Sequence, residues 1–206
     1  MTDLSLANLV VVIVSILVSL TIHEAMHAYV AHALGDTTAK EEGRLTLNPL
    51  QHIDLLMTIG LPVVMIMLGL PPLLIAKPVP FDPRSVRYGE YGAALVALAG
   101  PFTNLGLAVV GAVAMRLIGF DSDLAAMLNV FVQINITFFV FNMIPFPPLD
   151  GSRLLYAVAP EPVQKVMYAI ESAGFLMILF VFLLAAPVIL PIVGNIVEAI
   201  YYFLLG

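Results

Sequence analysis

Residues 23–27 read His23-Glu24-Ala25-Met26-His27, inside a nearly unbroken apolar run over residues 4–34. About 20 apolar residues carry a helix across the hydrocarbon core of a bilayer, so the run predicts a membrane-spanning helix. Two histidines four apart share one face of such a helix. Their rings can grip one zinc ion, and the glutamate between them can act as general base toward a water on that ion. A bilayer penalises polar side chains heavily, so three of them in one spanning helix are expected to be used. The stretch points to metal-dependent hydrolysis at a site inside the lipid-embedded part of the protein.

Composition agrees with the membrane reading. The chain has 206 residues, 61% hydrophobic and 11% charged, where a soluble domain is about half apolar and a quarter charged. The expected fold is an all-α polytopic integral membrane protein, with residues 1–206 as a single domain because no polar stretch is long enough for a second one. A net charge of −6 without a basic patch argues against a nucleic-acid partner. Cysteine is absent, so metal ligands must come from His, Asp or Glu. Met1-Thr2-Asp3 brings no basic region before the first apolar segment, which is therefore expected to stay in the protein.

Hydropathy marks six apolar segments, at 4–34, 55–76, 91–120, 124–144, 163–186 and 188–205, for about five to six transmembrane segments. Asp121-Ser122-Asp123 can cap the fourth, and Pro162 suits the first turn of the fifth. Gly60, Pro62, Gly69, Pro71 and Pro72 interrupt the second segment, and Pro145, Pro147 and Pro148 break the chain after the fourth. Irregular backbone at membrane depth is tolerated only where protein or a water-filled cavity covers it, so these places are candidates for a binding site.

A catalytic zinc has three protein ligands and a water. The best candidate for the third ligand is Asp150, within Asn142-Met143-Ile144-Pro145-Phe146-Pro147-Pro148-Leu149-Asp150-Gly151. The prolines unwind the backbone there, and Gly151 leaves room beside the carboxylate. Glu171 and Glu198 sit in plain apolar stretches. Other readings stay open at this point. Asp150 could pair with Arg153, Asn142 could cap or bridge helices, and Asn104 with Gly100 and Gly106 could serve close helix packing.

The pair HExxH and N-x-x-P-x-x-P-x-D-G resembles the site-2 protease family of intramembrane zinc metalloproteases. The resemblance extends to Gly43-Arg44-Leu45-Thr46-Leu47-Asn48-Pro49, Ala76-Lys77-Pro78-Val79-Pro80 and Ala99-Gly100-Pro101-Phe102-Thr103-Asn104, covering the chain from residue 4 to about 156. It is closest to the compact subgroup without PDZ or CBS segments. The resemblance implies one zinc per chain held by His23, His27 and Asp150, with Glu24 as base and proton shuttle. It implies that Asn142 steadies the substrate or the oxyanion; Asn104 matches the polar residue of a G-P-x-x-N motif. It further implies a transmembrane protein or peptide as substrate, cut within or near its spanning segment, and a place in a prokaryotic cell (inner) membrane. A β-hairpin-like edge from residues 43–49 or 55–76 would pair with the unwound substrate by strand addition. The rival readings are a membrane metal-ion transporter and a protease-like protein that binds helices without cutting.

For Asp150 to reach the histidines, the first and fourth segments must run in the same direction, since both sites lie late in their segments; residue 23 is about 26 Å along the helix from residue 6. One intervening segment should then fail to cross, and 55–76, with its Gly-Pro breaks, is expected to be a re-entrant hairpin. That choice puts Lys40, Arg44, Lys77, Arg84, Arg87, Arg153 and Lys165 on one side and only Arg116 on the other. The positive-inside rule makes the first side cytoplasmic, with the active site towards it.

Overall fold

The apolar run around the histidines forms one continuous helix, α1 (Leu6–Ala33), in a computed structural model that describes residues 6–54, 58, 60, 65, 67, 77 and 79–206. It is followed by a one-turn helix α2 (Thr38–Glu41), a 3-10 turn at Pro49–Gln51, and the long helices α3 (Glu90–Ile118) and α4 (Asp123–Asn142). The last part holds α5 (Gly151–Val158), α6 (Glu161–Ser172) and α7 (Phe175–Leu205). Among the described residues there is no strand, and four helical stretches are long and apolar enough to cross a membrane: α1, α3, α4 and Leu179–Leu205 of α7. The expected hairpin at 55–76 lies outside the described residues.

Local signals explain the helix boundaries. Ser122 is extended, and its Oγ accepts the Ala125 N–H at 3.1 Å, so the polar turn caps α4 as expected. Pro162 falls in the first turn of α6. The last two apolar segments are divided differently from the expectation. α6 has 12 residues, too short to span at 1.5 Å per residue, and it carries Gln164, Lys165 and Glu171. It stops before Gly174, whose φ is +88°. The chain then runs as one 31-residue helix straight through Pro187 and Pro191. A proline removes one donor from the ladder, and a spanning helix absorbs that loss through its neighbours and small local adjustments.

The expected strand edge at 43–49 is replaced by turns. Thr46 Oγ1 accepts the Asn48 N–H at 3.1 Å, and Asn48 Oδ1 accepts the Leu50 N–H at 3.1 Å, capping the Pro49–Gln51 turn. Short polar side chains that bond the nearby backbone compete with a ladder.

Contacts between helices set their directions. His27 and His23 of α1 meet Val96 and Asn104 of α3, so these two helices are antiparallel. Asn104 meets Asn135, and Gly111 faces Val132, so α3 and α4 are antiparallel as well. α1 and α4 therefore run the same way, as the reach of Asp150 to the histidines requires. The Arg87 N–H donates to Leu34 O at 2.9 Å, so the chain leaves α1 and begins α3 at the same end of the bundle. The main apolar core joins Ala108, Ala112 and Met115 of α3 to Val132, Ile136 and Val140 of α4 and Val193 of α7.

Asp36 fastens that end. Its buried carboxylate accepts Thr38 Oγ1–H at 2.6 Å, Thr38 N–H at 3.1 Å and, from the other side of the loop, Asp82 N–H at 3.0 Å. Burial opposes the charge, but the bonds from Thr38 and Asp82 outweigh it and hold the carboxyl below its usual value. A depressed carboxyl adds stability that is complete above its unfolded value and is lost as pH falls through the folded one. Asp36→Asn should therefore cost about 1–3 kcal/mol at neutral pH. Thermal melting in detergent should show the gap between the two proteins narrowing below about pH 4; a gap that is constant with pH would contradict this account.

Candidate metal centre

The site is built on a four-residue repeat. Ser15, Ser19, His23 and His27 form one buried face of α1. Facing it, Val96, Gly100 and Asn104 repeat at the same interval on α3 and are buried too. The two faces meet in register. His27 Nδ1–H donates to Val96 O at 2.7 Å, and His23 Nδ1–H donates to Asn104 Oδ1 at 2.5 Å. With their Nδ1 atoms tied outward, both rings turn Nε2 toward a common point, and the two Nε2 atoms stand 3.0 Å apart.

Asp150 supplies the third atom. Its Oδ2 lies 3.1 Å from His23 Nε2 and 3.4 Å from His27 Nε2. Val96 O can only accept, so the neutral His27 ring carries its proton on Nδ1 and presents a bare lone pair at Nε2. Lone-pair atoms gathered this closely repel one another unless a cation sits among them. Ligands about 2.0–2.1 Å from a tetrahedral zinc are roughly 3.3 Å from each other, which matches these separations. The donor set, two imidazoles and one carboxylate, is one that zinc takes in catalytic sites. Outer partners on both Nδ1 atoms fix the rings as zinc ligands usually require.

Gly100 keeps the centre open. A Cβ placed there would lie 2.6 Å from His23 Nε2 and would also collide with His27 Nε2. The glycine thus serves clearance for the ring nitrogens rather than helix packing alone.

Asp150 reaches the rings because the chain after α4 turns tightly. Phe146 N–H bonds Ile144 O at 2.8 Å, Leu149 N–H bonds Phe146 O at 2.9 Å, and Ser152 N–H bonds Leu149 O at 3.0 Å. The three prolines have no N–H to satisfy, so the turn buries few unpaired donors. Gly151 gives room to backbone rather than to the carboxylate: a Cβ there would sit 2.6 Å from Ile144 O and would meet Met143 O as well. Arg153, the alternative partner of Asp150, pairs with Glu171 at 3.4 Å and lies over the Tyr156 ring.

Glu24 is buried beside this cluster, and its Oε2 accepts the Val79 N–H at 3.2 Å. The segment at Val79 is in turn held by the loop after α2, where Arg44 Nη2 donates to Lys77 O at 2.6 Å. Asn142 closes the last turn of α4, and its Nδ2 donates to Phe138 O of its own helix at 3.0 Å. The structure therefore gathers His23, His27 and Asp150 with Glu24 alongside, and engages Asn142 with its own helix. Two residues not singled out from the sequence join the site from behind. Ser19 and Asn135 are both buried and bond to each other and to Asn104. Ser19 stands four residues before His23, and that spacing was the signal for it; Asn135 offered only its polarity in an apolar helix.

Comparison with known proteins gives the family. The family description "Peptidase family M50" matches residues 118–186, a stretch that contains Asp150. "Putative zinc metalloprotease YwhC" of Bacillus subtilis is 36% identical over 193 residues, 88% of this chain and 85% of that protein. The chain belongs to peptidase family M50, the site-2 protease family. This M50 chain is also 33% identical over 180 residues to "Putative zinc metalloprotease Rip2" of Mycobacterium tuberculosis, 84% of the chain and 67% of that protein. The Rip2 of Mycolicibacterium smegmatis is 31% identical over 187 residues, 86% of the chain and 68% of the relative. No solved structure matches the M50 chain.

Proposed function

We propose that this M50 chain is an intramembrane zinc endopeptidase that hydrolyses peptide bonds within or near the transmembrane segments of membrane proteins. The observation that carries the reading is the convergence of His23 Nε2, His27 Nε2 and Asp150 Oδ2, 3.0–3.4 Å apart, beside the buried Glu24 of a spanning helix. His23, His27 and Asp150 would hold one zinc per chain. Bound there, zinc acts as a Lewis acid that brings the pKa of a water to about 7.

The chain's own groups account for the remaining steps. Glu24 takes a proton from the attacking water and returns it to the leaving amine. The Val79 N–H holds one oxygen of that carboxylate, so the base keeps its place between the two transfers. Asn142 Nδ2 has a second hydrogen beyond the one given to Phe138 O, and it supports the carbonyl oxygen as charge builds there. The substrate helix must first open its own backbone hydrogen bonds, which in lipid costs several kcal/mol for each group left unmet. Bacterial relatives and the side shared by Lys40, Arg44, Arg84, Arg87 and Arg153 support a cell-membrane location with the site towards the cytoplasm.

The test is cleavage of a single-span protein by the purified chain in detergent, with Glu24→Gln alongside and zinc measured in both. Cleavage should fall about 10²–10⁴-fold in Glu24→Gln, with one zinc retained per chain. Equal cutting by both would remove Glu24 from the chemistry. No cutting by a zinc-loaded native chain that carries zinc into vesicles would replace the protease reading by transport.

A further inference from the structure

Behind His23, three buried residues, Ser19, Asn104 and Asn135, form a chain of hydrogen bonds in which each link fixes the direction of the next. Asn135 Nδ2 donates to Phe131 O at 2.8 Å and to Ser19 Oγ at 2.8 Å. Asn104 Nδ2 donates to Asn135 Oδ1 at 2.9 Å, with Ser19 O a more distant acceptor at 3.4 Å. Asn104 Oδ1 then faces His23 Nδ1. An amide can turn over, exchanging its oxygen and nitrogen, and only its partners decide which way it lies.

Here the decision starts from a backbone carbonyl. Phe131 O can only accept, so Asn135 must turn Nδ2 toward it and Oδ1 toward Asn104. Asn104 must answer with Nδ2, which leaves its oxygen for His23. An oxygen at that position requires a proton on His23 Nδ1, so in the neutral ring Nε2 is left bare, 3.1 Å from Asp150 Oδ2. If Asn104 were turned over, its NH2 would favour the opposite tautomer, with a hydrogen on Nε2 pointing into the space shared with His27 and Asp150. Ser19, Asn104 and Asn135 are fully buried, so no water competes for these links.

We propose that Asn135, with Ser19, is a positioning residue of the metal centre: acting through Asn104, it sets His23 in the tautomer that offers Nε2 as a ligand. The proposal rests on the zinc-protease reading for its consequence, but the tautomer itself is a property of the chain alone. Asn135 touches neither the ligand atoms nor the substrate position. Its effect should therefore appear in the state of the His23 ring and in metal affinity, and should spare KM.

The experiment compares the full chain in detergent with Asn135→Leu and Ser19→Ala, using Thr137→Val on the exposed side of the same helix as control. Zinc affinity is read by competition with a chelator, and the His23 tautomer by 15N NMR of histidine-labelled, zinc-free protein. The native chain should show His23 protonated at Nδ1. Asn135→Leu should populate the Nε2-protonated form and lose about 10–100-fold in zinc affinity, the usual effect of removing an outer partner. Ser19→Ala should move both readings the same way by less, and it decides the matter if Asn135→Leu does not fold. Thr137→Val should match the native chain. An unchanged tautomer of the neutral ring in the variants, or a neutral native ring protonated at Nε2 alone, would overturn the proposal. A native chain that binds no zinc would overturn the zinc reading instead, and the tautomer would then decide the proposal by itself.

Discussion

Gly100→Ala is expected to abolish zinc binding in a protein that still folds. The added Cβ would stand 2.6 Å from His23 Nε2 and would press on His27 Nε2 as well. Neither ring can retreat without giving up its outer bond, to Asn104 Oδ1 for one and to Val96 O for the other. The helix itself gains from the change, since alanine is favoured over glycine in a helix interior by about 0.5–1 kcal/mol. Bound zinc should fall from one per chain to near zero and cleavage should fall to background, while helical content remains close to native and melting in detergent falls to about that of the zinc-free native chain. A Gly100→Ala protein with a full complement of zinc would show that the rings have another way to close on the ion.

Asp150→Ala should be as damaging by a different route. It removes no volume constraint and takes away one of three lone-pair donors, leaving two imidazoles that cannot complete a catalytic zinc site. The loss in zinc affinity should exceed the roughly 100-fold that outer partners contribute, and cleavage should not be recovered by added zinc at native working concentrations. The loop keeps its shape in the variant, because the turns from Ile144 to Ser152 are held by backbone bonds and by the room at Gly151. Retained zinc and retained cleavage in Asp150→Ala would move the third ligand elsewhere in the chain.

These two residues show how far the sequence could be read. The histidine spacing was legible because four residues is a helical repeat, and an apolar run of that length has one stable form in lipid. Asp150 was legible because prolines and a glycine next to a carboxylate are costly in a spanning segment without a use. Gly100 was visible only as a small residue, and clearance for two ring nitrogens cannot be told from close packing before the facing helix is in place. Asn135 was hidden for the same reason, and Ser19 showed only its spacing from His23, since which polar groups meet across α1, α3 and α4 depends on the relative register of three helices. Pro187 misled in the other direction. It separates the expected segments 163–186 and 188–205, whereas the helix runs on through it and through Pro191.

His23 and Asp150 are 127 residues apart in the chain. An ion shared between them is a cross-link as well as a reagent. It ties the first helix to the turn that follows the fourth and closes a loop containing most of the intervening fold. Any species that binds the folded state alone raises its stability with concentration. On the proposed reading, catalytic readiness and mechanical cohesion become one variable, and a chain starved of zinc should be a looser molecule as well as an idle one.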